Sequence, residues 1–154
     1  MKLKKLFNSA SQLSFTHLLL LGEAWLVFLK WDLLVSYFHY RHWQLSFDKP
    51  QPVIDDEDHL RQILDIIKLT EKVARNHIRK MNCLRRCLCQ RQLLAKRNYP
   101  CELHIGVKIT DGKVEAHSWL SYNSIVINDS QQVIAQYTEL EKSANQGILA
   151  ALRG

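Results

Sequence analysis

The chain has 154 residues, 47% hydrophobic and 23% charged, with five glycines and three prolines. This composition suits one globular domain with a real core and excludes disorder, collagen-like repeats and long flexible linkers. The formal net charge of +6 is uneven: Arg75 to Arg97 holds eight basic residues and no acid, while Cys101 to the end holds four basic and six acidic residues.

At the N-terminus Lys2, Lys4 and Lys5 precede an apolar run that includes Leu18 to Leu21, imitating a signal peptide, but His17 and Glu23 interrupt it. Glu23, Lys30 and Asp32 are too many charges for a lipid-facing span between Phe15 and Phe38. Leu13 to Tyr40 reads as one or two helices, with Trp25, Phe28, Leu29, Asp32 and Leu33 at helical spacing. The flank carrying Leu26, Leu29 and Leu33 is expected to pack on the rest of the chain or on a partner. Phe38 to Pro52, aromatic, basic and proline-marked, reads as a connection. The chain thus divides into a helical segment over 1–52 and a core over 53–154, together one structural unit.

Asp55, Asp56, Glu57 and Asp58 then precede Leu60, Ile63, Leu64, Ile67, Ala74, Ile78 and Met81, a helix with acids at its positive end. Asn82 is suited to cap a second helix over Leu84, Cys87, Leu88, Leu94 and Ala95, which Asn98, Tyr99 and Pro100 stop. Cys83 falls in its first turn, where the helix dipole and free N–H groups favour a thiolate and an oxyanion. The surrounding basic run adds positive potential. On this helix Cys87 reads as core, Cys89 as surface or half-buried, and Gln90 and Gln92 as packing or solvent-facing.

From Leu103 the pattern is β. Leu103, Ile105, Val107 and Ile109 alternate with polar residues or glycine, and Asp111-Gly112 signals a two-residue hairpin. On the returning strand Val114, Ala116, Ser118 and Leu120 share one face, placing His117 and Trp119 on the other. Ser124 to Asn128 reads as a third short strand ending at Asp129. Helices followed by an antiparallel sheet make the expected class α+β.

A thiol, an imidazole and a carboxylate are the parts of an activated cysteine nucleophile, in which the base takes the thiol proton and the acid orients the base. Cys83, His117 and Asp129 fill these roles in the layout of a papain-like or transglutaminase-like core, a nucleophile helix packed on a small antiparallel sheet. Asn82 and Trp119 flank the first two and are candidates for substrate contact or oxyanion stabilisation. Zinc is the chemical competitor, since Cys83, Cys87, Cys89, Cys101 and His104 cluster. No CxxC pair occurs, however, and Cys87 and Cys89 diverge on one helix, so neither a metal nor another cofactor is expected. His42 and His104 read as structural. The cysteines crowd together without a disulfide framework or a convincing secretory signal, which fits a reducing cytoplasm.

Asn82-Cys83-Leu84-Arg85-Arg86 with Leu88, Leu93 and Leu94, then Leu103 to Val107, Ala116-His117-Ser118-Trp119, and Val126 to Asp129 resemble the transglutaminase-like leader peptidases of lasso-peptide biosynthesis, over residues 60–140. Glu23-Ala24-Trp25-Leu26 also resembles that family's opening helices. The resemblance implies a cysteine peptidase with Cys83 as nucleophile, His117 as base and Asp129 as orienting acid. It further implies a ribosomally made precursor peptide as substrate, a small separate leader-binding protein that supplies the recognition domain, and a macrolactam-forming cyclase as partners. Two departures touch the pocket rim and the helix stop: the family's Ala-His-Ala-Trp-Val-Glu is here Ala-His-Ser-Trp-Leu-Ser, and Asn98-Tyr99-Pro100 replaces a glycine. Acyl transfer to an amine, as in a transglutaminase or amidase, is the alternative chemistry. A non-enzymatic module that binds nucleic acid or a membrane surface through the basic helix is the alternative class.

Overall fold

A computed structural model describes residues 15–38 and 57–140. Helices α1 (Phe15–Tyr37), α2 (Glu57–Asn76) and α3 (Cys83–Ala95) precede strands β1 (Glu102–Thr110), β2 (Lys113–Tyr122) and β3 (Ile125–Val126). A one-turn helix α4 (Gln131–Ile134) and strand β4 (Thr138–Glu139) follow. The sheet is antiparallel with order β3-β2-β1-β4, so the expected α+β architecture is the observed one. Lys2, Lys4, Lys5, His42, Asp55, Asp56 and the connection beyond Phe38 lie outside the described residues.

The first helical region is one helix. It buries Leu20, Ala24, Val27, Phe28, Trp31 and Val35, spaced at three and four residues, against α2 and α3. Of the flank expected to pack on the rest of the chain or on a partner, Leu26 and Leu33 are 62% and 44% exposed, so these two do not pack on the described core. Because α1 is apolar around most of its circumference, hydropathy alone does not select the buried flank. Its charges are specific. Asp32 is buried and meets Arg79 Nε at 2.7 Å and Arg85 Nε at 2.9 Å, while Glu23 meets Lys96 Nζ at 2.7 Å and Arg97 at 2.6 Å. Trp31 Nε1 donates to Gln92 Oε1 at 2.8 Å, tying α1 to α3. Among the described residues, no helix is long and apolar enough to cross a membrane.

Helix α2 stops at Asn76, short of the Met81 to which the apolar periodicity extends. Asn76 Nδ2 donates to the Lys72 carbonyl at 2.7 Å and Arg75 Nε to the Glu71 carbonyl at 3.3 Å, so both side chains fold back on the helix where it ends. The chain then bends at His77, whose Nδ1 accepts the Arg79 N–H at 3.2 Å.

Helix α3 is the centre of the core. Its Leu84, Leu88, Leu93 and Leu94 are fully buried with Phe28, Ile63, Ile105 and Leu120. Cys89, expected at or near the surface, is also fully buried, and its thiol lies 3.8 Å from the Ala24 carbonyl, because α1 covers the side of α3 that would otherwise face water. Asn98 adopts φ +61 and ends the segment.

Asp111 and Gly112 both take positive φ, 51° and 75°, the requirement of a type I′ hairpin. They set β1 against β2 from Glu102↔Ser121 to Thr110↔Lys113. The third strand is shorter than expected, Ile125–Val126, because Asn123 and Ser124 at φ 47° and 64° form a second tight turn. Beyond it, Ile127 N still donates to the Leu120 carbonyl at 3.0 Å. Helix α4 and strand β4, which pairs Gly106↔Glu139 and Val107↔Thr138, carry too few residues for a periodic signal.

Candidate active site

Three elements bring the sequence-nominated groups together. Asn82 caps α3: its side-chain oxygen accepts the Arg85 N–H at 2.9 Å and its carbonyl accepts the Arg86 N–H at 3.1 Å. Cys83 is therefore the first helical residue, and its N–H and that of Leu84 have no acceptor within the helix. An oxyanion formed beside the Cys83 sulfur would meet this positive end.

His117 comes from β2, whose pairing with β1 fixes its position opposite Gly106. The imidazole is hydrogen-bonded to Cys83 on one side and, through Nε2, to Asp129 Oδ2 at 2.5 Å on the other. With Nε2 on the carboxylate, Nδ1 is the nitrogen left for the sulfur. The other Asp129 oxygen accepts the Ser130 N–H at 2.8 Å, and Ser130 in turn caps α4. The short helix thus fixes the acid's rotamer.

The electrostatics separate Cys83 from the other thiols. Burial pushes its pKa up, but hydrogen bonds from His117 and from the hydroxyl and backbone of Ser118 outweigh it and bring the thiol down to about 7. His117 is raised, chiefly by its bond to Cys83 and also by Asp129. Cys87 and Cys101 are pushed up to about 12 by burial, and Cys89 is also raised by burial. The basic run is not what lowers the Cys83 thiol. Arg79 and Arg85 are paired with Asp32, Arg86 with Glu71 at 3.2 Å, and Lys96 and Arg97 with Glu23, so acids from α1 and α2 neutralise much of it.

Aromatic rings wall His117. Trp119 is buried, stacks on His104 at 5.7 Å between centroids and 9° between planes, and meets His117 at 6.3 Å. Tyr137 meets His117 from another side at 5.1 Å. Both lie against Gly106, where a Cβ would come within 2.9 Å of Trp119 Cη2 and Tyr137 Cβ. His104, read as structural, bonds Ser121 Oγ at 2.7 Å and Glu139 Oε1 at 2.5 Å, joining β1 to β2 and β4.

Two neighbours of Cys83, His117 and Asp129 carry no signal of that position in the sequence. Ser118 stands out there only as a departure at the pocket rim, yet it is buried beside Cys83. Tyr137 follows an element too short to recognise, and no local pattern marks it. Among the described residues no group of three or more His, Cys, Asp or Glu side chains could hold a metal ion. The arrangement is chemically competent for acyl transfer through a thioester: a low-pKa thiol, a base in contact with it, and an acid fixing the base. A family model, that of the transglutaminase-like superfamily, matches residues 25–142. No curated protein and no solved structure matches the chain.

Proposed function

The chain belongs to the transglutaminase-like superfamily, and on that premise we propose that it is a cysteine peptidase that removes the leader from a ribosomally made precursor peptide during lasso-peptide maturation. The observation that carries the chemistry is the hydrogen-bonded series Cys83, His117, Asp129 at the head of a buried helix. The motif resemblance around Cys83 and His117 supports the substrate class. The Cys83 thiolate attacks the scissile carbonyl carbon, and the C–S bond forms as the carbonyl pair moves to oxygen. The imidazolium of His117 gives its proton to the amine as the C–N bond breaks. Water, losing a proton to His117, then cleaves the thioester, and the acid product leaves as the thiol is restored.

A separate leader-binding protein delivers the substrate in this reading, with a cyclase consuming the product in the cytoplasm. The exposed apolar row Phe15, Leu19, Leu26, Leu33 and Tyr37 on α1 supports association with another protein, since such rows on soluble chains mark interaction surfaces. Delivery makes the reaction effectively intramolecular, so the rate gain needs no change in the triad.

The test is mass-spectrometric mapping of products from a leader-bearing precursor, with and without the leader-binding partner. Partner-dependent cleavage at the leader–core junction is the expected result. Equal rates in both reactions, or a leader-independent preference for glutamine side chains with amine incorporation, would replace this reading with the transglutaminase one.

A further inference from the structure

Behind the triad, polar side chains run in series through the interior. The Leu120 N–H on β2 donates to Asn128 Oδ1 at 2.7 Å. Asn128 Nδ2 donates to Gln90 Oε1 at 2.8 Å and to Cys87 Sγ at 3.3 Å. Gln90 Nε2 donates to Glu71 Oε1 at 2.8 Å, and that same oxygen meets Arg86 Nε at 3.2 Å. The series has only one sense. A main-chain N–H can only donate, so Asn128 must turn its oxygen to Leu120 and its nitrogen to Gln90. The Gln90 nitrogen is then left for a carboxylate, which can only accept. Flipping either amide would set donor against donor at one end and acceptor against acceptor at the other. Gln90 is fully buried, so a bond that it leaves unmade has no solvent to replace it. The series therefore fixes α2, α3, β2 and the segment after β3 in one mutual register.

Asn128 immediately precedes Asp129, and Cys87 lies one turn after Cys83. Two amide side chains thus set the distance between the acid-bearing segment and the nucleophile helix. We infer that Asn128 is a positioning residue: by gripping the Leu120 backbone and, through Gln90 and Cys87, helix α3, it holds Asp129 where its carboxylate reaches His117 while His117 reaches Cys83. Asn128 touches none of the reacting groups and acts through Asp129. The inference rests on the triad reading above but not on its substrate.

The experiment is the rate of iodoacetamide labelling at Cys83 of the full chain against pH, resolved by peptide mass spectrometry, in a double-mutant cycle of Asn128→Ala and Asp129→Ala. Each single change should move the reactivity curve to higher pH and slow labelling at pH 7 by roughly three- to tenfold. The double variant should be no slower than Asp129→Ala alone, a non-additivity that general loosening of the fold would not produce. An unchanged profile for Asn128→Ala, or an equal further slowing when it is added to Asp129→Ala, overturns the inference. If circular dichroism shows that Asn128→Ala does not fold, Gln90→Leu removes the far anchor alone and enters the same cycle with the same two criteria. Wild-type Cys83 that labels no faster than Cys101 at pH 7 overturns the triad reading and this inference with it. Fast Cys83 with an unmoved Asn128→Ala profile overturns only the inference.

Discussion

Cys83 and Cys87 stand one turn apart on α3, both beside Ser118, and their thiols are driven in opposite directions. Cys83 receives hydrogen bonds from His117 and Ser118 and falls to about 7. Cys87 donates to the Ser118 carbonyl at 3.3 Å, and burial pushes it up to about 12. One helical turn separates a thiol that ionises near neutrality from one that stays protonated, and contact with the imidazole decides which.

Thiol labelling should follow this division. Cys83, lowered from 9.0 to about 7, becomes more reactive as pH rises through 7; about half is thiolate there, against about 1% of an ordinary thiol. Iodoacetamide at pH 7 should modify Cys83 and spare Cys87, Cys89 and Cys101. Comparable labelling of Cys83 and Cys101 in the folded chain would contradict the assignment.

The base and its orienter should separate by variant. His117→Ala removes the contact that offsets burial of the Cys83 sulfur, so both peptide cleavage and neutral-pH labelling should nearly vanish. Asp129→Asn keeps the shape but can hold the wrong imidazole tautomer, and kcat should fall roughly 10²- to 10⁴-fold. Wild-type turnover in Asp129→Asn would require a different acceptor for Nε2.

Asp32 should matter for stability far more than its place in a helix suggests. Asp32→Ala strands Arg85, which is only 8% exposed, and should cost about 3–5 kcal/mol in denaturant unfolding. Arg79→Ala, removing the more exposed partner, should cost about 0–1 kcal/mol. Equal losses in the two variants would mean that the Arg85 pair is not the one that counts.

Gly106→Ala tests the aromatic wall. The added methyl meets Trp119 and Tyr137 at 2.9 Å, and because the Tyr137 atom is a Cβ, backbone must move. A loss of about 1–3 kcal/mol is expected, with slower turnover, since both rings pack on His117. An unchanged melting temperature and unchanged rate would show that the wall yields freely.

Asn82→Ala should remove the cap of α3 and cost about 0.5–2 kcal/mol, with Asn82→Ser restoring most of it. Failure of the serine variant to rescue stability would assign Asn82 a role other than capping.

What is legible along the chain is whatever local chemistry dictates. The cap at Asn82, the start of α3 at Cys83 and the Asp111-Gly112 turn depend on backbone groups within a few residues, so the sequence by itself determines them. The hairpin register then follows from the turn, which is why the strand pattern alone assigns His117 a face and a neighbour. Charge is misleading because it is settled non-locally: the acid-free run from Arg75 to Arg97 finds its acids, Glu23, Asp32 and Glu71, on α1 and α2. The buried flank of α1 and the burial of Cys89 are likewise decided by which helix covers which, a choice that an all-round apolar pattern leaves open. The low pKa of Cys83 belongs to the same class. Its residues can be nominated one at a time, but a thiol, a ring and a carboxylate separated by 34 and 12 positions acquire their chemistry only when the sheet, the helix and the amides of Asn128 and Gln90 bring them within hydrogen-bond reach.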